Sequence, residues 1–138
     1  MRRLVVASHG HFAGGLAHTL KLIAGQSTEV YPLNAYDTNT PIGDEVNTLL
    51  SRFDAHDEIV VLTDLLGGSV NQEFARVAKH RPGMVVISGA NVPLAVGIAM
   101  LPTDSPLDGE TIRGCIAEAK EGIVYVNDVQ TSLGADDE

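Results

Sequence analysis

Short runs of aliphatic and β-branched residues alternate with stretches of helical spacing along almost the whole chain, and no other feature restricts the fold as much. Arg3–Ala7 reads as a strand buried on both faces, Val30–Leu33 as a shorter second strand, Glu58–Thr63 as a central third and Met84–Ser88 as a fourth. Between them, Leu16, Leu20 and Ile23 recur near 3.6 residues in a helix over Phe12–Ala24 that stops at Gly25. Thr40 is placed as an N-cap, with Pro41 in the first turn of a helix carrying Ile42, Val46, Leu49, Leu50 and Phe53 on one face. Ser69 and Gln72 have capping-box spacing ahead of a helix from Val70 to about Lys79. Asn91-Val92-Pro93 opens a further helix ending near Met100, and Glu110–Glu121 forms the last before Gly122 and a final strand, Ile123–Asn127. The series implies a doubly wound, three-layer α/β/α fold with a mainly parallel sheet.

A chain of 138 residues is one ordinary domain, placed at residues 1–130, and the acidic end "GADDE" marks 131–138 as a frayed, solvated tail. One cysteine, Cys115, permits no intrachain disulfide and no cysteine-rich metal site. "MRRLVVASHG" lacks the apolar core of a signal peptide, and no apolar run approaches the ~20 residues that cross a bilayer, which places the protein in the cytoplasm. The formal charge of −9 argues against nucleic acid. The same acidity either steers a basic protein partner or simply keeps the chain soluble.

In open α/β sheets ligands sit beyond the carboxyl ends of the strands. Three loops satisfy that description: Ser8–His11, Asp64–Gly68 and Gly89–Asn91. The first offers His9, the second Asp64, and the second ends in Gly67-Gly68-Ser69 where a helix begins. Each has an ordinary explanation. A histidine after a strand is commonly a solvated residue, an aspartate a turn former, and a Gly-Gly pair a chain reversal. Their joint position on one sheet edge favours a site. A neutral imidazole has a ring nitrogen free to attack phosphorus, a carboxylate on the other nitrogen fixes the tautomer, and bare backbone at Gly10 and Gly68 with the amide of Ser69 receives phosphoryl oxygens. Such a constellation suits reversible phosphoryl transfer through phosphohistidine, without cofactor or metal.

Competing chemistries lack their residues. There is no G-x-x-x-x-G-K-[ST] loop, the spacing of Gly10, Gly14 and Gly15 misses G-x-G-x-x-G, and no G-x-S-x-G elbow is present. His9 and His11 would form half a metal site only if the strand continued past Gly10. His18, His56 and His80 read as surface residues.

Together "LVVASHGHFAGGL", "IVVLTDLLGGSVNQEFARV" and "MVVISGANVPLAVGIAM" resemble the mannose-class enzyme IIA of the bacterial phosphotransferase sugar-uptake system, in order and over essentially the full chain. The resemblance implies a sheet of order 2-1-3-4 with an antiparallel fifth strand, Ile123–Asn127, exchanged between the subunits of a homodimer. It implies that His9, not His11, receives phosphate from the histidine phosphocarrier HPr and passes it to enzyme IIB. It further implies that Asp64 is hydrogen-bonded to that histidine and that Ser69 lies near the phosphate. No role is implied for His11. No IIB-like segment follows residue 138, so the chain is expected to act as a separate subunit beside the membrane transporter, meeting its IIC and IID subunits only indirectly. Two other readings stay open: the phosphotransfer subunit of dihydroxyacetone kinase, and a non-catalytic phosphate- or metabolite-binding regulatory module. "GGS" and "GANVP" look more like the sugar-transporter branch.

Overall fold

Strand β1 (Arg2–His9) is buried from Leu4 to Ser8, with both of its faces covered. In this computed structural model, which describes residues 1–129, it lies between β2 (Tyr31–Ala35) and β3 (Glu58–Thr63), and β4 (Met84–Ser88) completes a parallel sheet of order β2-β1-β3-β4. Side chains alternate between two cores, as the strand period of two requires. Leu4 and Val6 of β1 and Val60 and Leu62 of β3 face one layer, with Leu16 and Leu20 of α1 (Phe12–Ala24) and Leu94 and Ile98 of α4 (Val92–Ala99). Val5, Ala7, Ile59 and Val61 face the other, against Val46 and Leu49 of α2 (Ile42–Leu50) and Val70 and Phe74 of α3 (Ser69–Ala78). Helix α5 (Gly109–Glu121) packs on α4 and adds Ala119 to the first core.

Ile59, Val60, Val61 and Leu62 are all fully buried, each burial worth about 1.5–3 kcal/mol relative to exposure. That makes β3 a rigid platform for whatever follows Thr63. The chain leaves β1 towards β2 on one side and reaches β3 on the other. The carboxyl ends of β1 and β3 therefore flank the point where the strand order reverses, the place where ligands gather in such sheets.

Several expectations are corrected. Strand β1 runs on through His9, and β2 sits at Tyr31–Ala35 instead of Val30–Leu33, because its ladder with β1 pairs Val5 with Tyr31 and His9 with Ala35. The N-cap of α2 is Pro41, without a side-chain cap, so Thr40 lies outside the helix end. In α1 the buried stripe is Ala13, Leu16, Ala17 and Leu20, and Ile23 faces solvent. In the single chain Ile123–Asn127, expected as a strand exchanged between subunits, is not a strand: residues 123–125 carry no regular structure and 126–129 make one helical turn. Backbone amides need acceptors, and without a neighbouring strand they bond locally, Ile123 N–H to Lys120 and Asp128 N–H to Tyr125. The expected tail, 131–138, lies outside the described residues.

Candidate active site

Why a strand should end in Ser-His-Gly-His is answered by the turn that follows. Gly10 adopts φ +61, which an L side chain tolerates poorly, and its N–H bonds the carbonyl of Ala35 at the end of β2 (2.8 Å). Beneath it, the fully buried Ser8 hydroxyl accepts the N–H of Ala13 (2.7 Å) and donates to the Gly10 carbonyl (3.1 Å). Helix α1 is therefore capped from within the preceding strand. Gly14 lets the helix sit against Asn34, whose Oδ1 accepts the Gly14 N–H at 2.9 Å; an added Cβ would stand 3.1 Å from the amide nitrogen of Asn34.

That turn leaves the side chain of His9 on the rim, 43 % exposed. Asp64, the first residue after β3, meets it. One carboxylate oxygen, Oδ2, accepts both the backbone N–H of His9 (2.8 Å) and the ring at Nδ1 (2.7 Å), while Oδ1 accepts the N–H of Leu65 (3.0 Å). Burial alone pushes the Asp64 carboxyl upward, but these hydrogen bonds from His9 and Leu65 outweigh it and hold the group below the usual carboxylate range. An ionised carboxylate only accepts, so Nδ1 carries a proton, and in the neutral ring the lone pair belongs to Nε2, which points outward.

Ser69 lies on that outward side, its Oγ 3.3 Å from Nε2. It does not cap α3 as its spacing suggested. The N-cap is Gly68, with no side chain to offer, and Gln72 reaches back to donate to the Gly67 carbonyl (2.8 Å). No side chain among the described residues caps the first amides of α3, the position where helices receive anions. A Cβ on Gly68 would lie 3.4 Å from Cε1 of His9 and 3.3 Å from the Leu65 carbonyl oxygen. Gly67 holds φ +78 to make the turn.

Of the expected site residues, His9, Asp64, Gly68 and Ser69 come together, and Gly10 forms the turn beneath them. The Gly89–Asn91 loop shares the edge, but its hydrogen bonds are structural: Ala90 N–H to Thr63 (2.9 Å) and the Asn91 side chain capping α4 at Leu94 (2.9 Å). His18, His56 and His80 are exposed, as read from the sequence. His11 and His9 do not converge on a shared ligand position. His11 Nε2 instead pairs with Asp37 Oδ1 at 2.6 Å.

The loop after β2 was missed. Tyr36 places its hydroxyl 2.7 Å from Ser69 Oγ and its ring 5.4 Å from the His9 ring, tilted by 33°. Its signal was available: every loop at a strand's carboxyl end reaches this edge, and "AYD" lies directly behind β2 once that strand is extended to Ala35.

A site of this kind can take up a phosphoryl group. It has an outward nucleophilic nitrogen, a carboxylate to balance charge on the ring, and a hydroxyl and free amides beside the attacking atom. None of the helices among the described residues is long and apolar enough to cross a membrane.

The family model described as "PTS system fructose IIA component" matches residues 3–113 of the chain. The mannose-specific EIIAB component of the phosphotransferase system (PTS) of Escherichia coli K12 is 24 % identical over 122 residues, or 87 % of this chain and 38 % of that protein. The chain thus spans under two fifths of the length of the curated relatives it matches. Among solved structures, a candidate phosphoenolpyruvate-dependent sugar phosphotransferase system permease from Klebsiella pneumoniae is 36 % identical, with 91 % of each chain covered and a TM-score of 0.83. EIIA from Streptococcus agalactiae is 26 % identical, covering 93 % of this chain and 99 % of its own, at TM-score 0.77. The mannose/sorbose-specific IIA subunit from Enterococcus faecalis, 19 % identical over 90 % of this chain and 93 % of its own, shares the fold at TM-score 0.76.

Proposed function

The chain belongs to the PTS fructose IIA component family, and from that premise we propose that it is a phosphoryl carrier that accepts phosphate from phospho-HPr on His9 and hands it to enzyme IIB. The observation that carries the reading is the 2.7 Å bond of Asp64 to Nδ1, which leaves Nε2 as the nucleophile beside Ser69 and the start of α3.

In the forward step the Nε2 lone pair attacks the donor's phosphorus. The new N–P bond forms as the bond to the donor nitrogen breaks, and that nitrogen recovers its electron pair. His9 then carries a phosphoryl group on Nε2 and a proton on Nδ1. The positive charge this places on the ring faces Asp64, while Ser69 and the first-turn amides of α3 face the phosphoryl oxygens. Transfer to enzyme IIB reverses the sequence: its nucleophile attacks phosphorus and the lone pair returns to Nε2. No cofactor enters. Free exposure of His9 suits exchange between proteins, because both partners must bring their reacting atoms to it. Leu65, Leu66 and Phe12 supply exposed apolar surface near it for such encounters. Sugar selection then falls to the membrane subunits, IIC and IID, which this carrier need not touch.

The reading extends to a homodimer in which Ile123–Asn127 pairs with the partner's sheet. Ile123, Val124, Tyr125 and Val126 are exposed and apolar in the single chain, and β4 is an edge strand.

Incubation with phosphoenolpyruvate, enzyme I and HPr tests the central claim. An acid-labile adduct is expected at His9, absent from His9→Ala and retained in His11→Ala. A label that survives in His9→Ala moves the acceptor elsewhere. Reversible phosphate binding without any adduct would instead support a regulatory module.

A further inference from the structure

We propose that Tyr36 is a positioning residue for phosphoryl transfer: its phenol O–H sets the Ser69 hydroxyl in the orientation that serves His9 Nε2 and then the phosphoryl oxygens. The proposal rests on the phosphohistidine reading above.

With the His9 ring neutral, as a nucleophile must be, proton inventory sets the direction of each bond. Ionised Asp64 donates nothing, so Nδ1 of His9 donates to it at 2.7 Å and Nε2 is an acceptor. Ser69, 3.3 Å from Nε2, is the group that donates there, which spends its only hydroxyl proton. At 2.7 Å, Tyr36 must then donate to the Ser69 oxygen. The donors run in one sense, Tyr36 to Ser69 to His9 to Asp64, and each bond polarises the next. When phosphorus binds Nε2, the lone pair that held the Ser69 proton is consumed. Ser69 O–H is freed to donate to a phosphoryl oxygen, while Tyr36 still holds the Ser69 oxygen in place.

The backbone is arranged for this at a cost. Tyr36 has φ +65, the one positive value outside glycine among the described residues, in the left-handed region that L residues adopt only against steric resistance. Groups flanking His9 hold the strained residue on both sides. On one, the Ala35 carbonyl accepts Gly10 N–H at 2.8 Å; on the other, Asp37 pairs with His11 at 2.6 Å. Packing of the ring beside His9 is a separate property, retained when the hydroxyl alone is removed.

Tyr36→Phe makes that separation. We expect phosphate uptake from phospho-HPr at saturating donor to fall about fivefold, with the KM for donor little changed, because one neutral hydrogen bond is lost after binding. Since Tyr36 acts through Ser69, the double variant Tyr36→Phe, Ser69→Ala should be no slower than Ser69→Ala alone. The unphosphorylated protein gives a readout independent of transfer. The ¹⁵N resonance of His9 Nε2 should move towards that of an unbonded acceptor in Tyr36→Phe, and further in Ser69→Ala. A wild-type rate in Tyr36→Phe, losses that multiply in the double variant, or an unmoved Nε2 resonance would each overturn the proposal. Wild-type protein that takes no phosphate defeats the phosphohistidine reading instead, and the nitrogen resonance still decides whether Tyr36 orders Ser69.

Discussion

Asp64 does two things with one oxygen: Oδ2 holds the backbone of His9 and its ring together. Asp64→Asn keeps the shape, but an amide oxygen is a weaker acceptor and leaves a positive ring unbalanced. Transfer through His9 should slow by roughly a hundredfold, the scale of losing a group that stabilises charge on a reacting histidine; an unchanged rate would remove this role. Asp64 also carries a pH signature. Its folded-state value lies below that of an unfolded aspartate, about 3.9, so the folded protein binds fewer protons than the unfolded chain in the acid range. The ionised group therefore contributes stability above the unfolded value and loses it as pH falls through the folded one. The difference in thermal midpoint between wild type and Asp64→Asn should be widest above about pH 5 and close as pH drops past 4. A pH-independent difference would mean that the charge is not what is held. At this scale the sequence revealed residues whose chemistry is unusual for their position, His9 and Asp64. Tyr36 and Asp37 went unread because β2 was ended at Leu33, short of the sheet edge, and Asn34 because its bond to Gly14 depends on a distance between elements that no local spacing encodes.

Helix and strand patterns were legible because burial on two faces imposes them. The valine and isoleucine runs of β1, β3 and β4 read as strands covered on both faces, and the three-to-four residue spacing of α2 and α3 as one wet and one dry face. Helix starts were less legible. The same polar residue that caps a helix can serve a neighbour, and Ser69 does so, leaving the cap position to Gly68. The two glycines before α3 consequently have different jobs, and substitution should separate them. Gly67 has φ +78 with open space where a Cβ would go, so Gly67→Ala is a backbone penalty of about 1 kcal/mol, visible as a lowered thermal midpoint. Gly68 has φ −66, which alanine accepts, but its Cβ would press on Leu65 at 3.2 Å and on His9 at 3.4 Å. Gly68→Ala should leave the midpoint nearly unchanged and lower phosphate uptake about tenfold, by displacing the ring or screening the amides. If both variants lose stability and activity in parallel, the loop acts only as a turn.

For the molecule as a whole, the apolar end of the described chain is the feature a single copy leaves unresolved. Ile123 is 75 % exposed and Tyr125 68 %, side by side with Val124 and Val126, and a row of this kind is costly to leave in water. Strand chemistry without strand structure has a physical source. A ladder needs a partner edge, β4 offers one at the side of the sheet, and α5 ends at Glu121 on the helical layer, leaving the following residues to bond locally in their own chain. The sequence pattern is thus that of a strand, and in the proposed dimer a second copy supplies the edge it needs. Pairing of this kind is reciprocal, since a two-fold interface presents the same edge and the same segment from both subunits. Light scattering at micromolar concentration should therefore give twice the chain mass. Ile123→Asp with Tyr125→Asp should give the single mass with helix content retained, since neither side chain belongs to the two cores. The dimer reading fails if the wild-type chain is monomeric across that range, or if the charged variant stays paired. Phosphate uptake at His9 should survive the change, because each copy carries its own Asp64, Ser69 and Tyr36 around the ring.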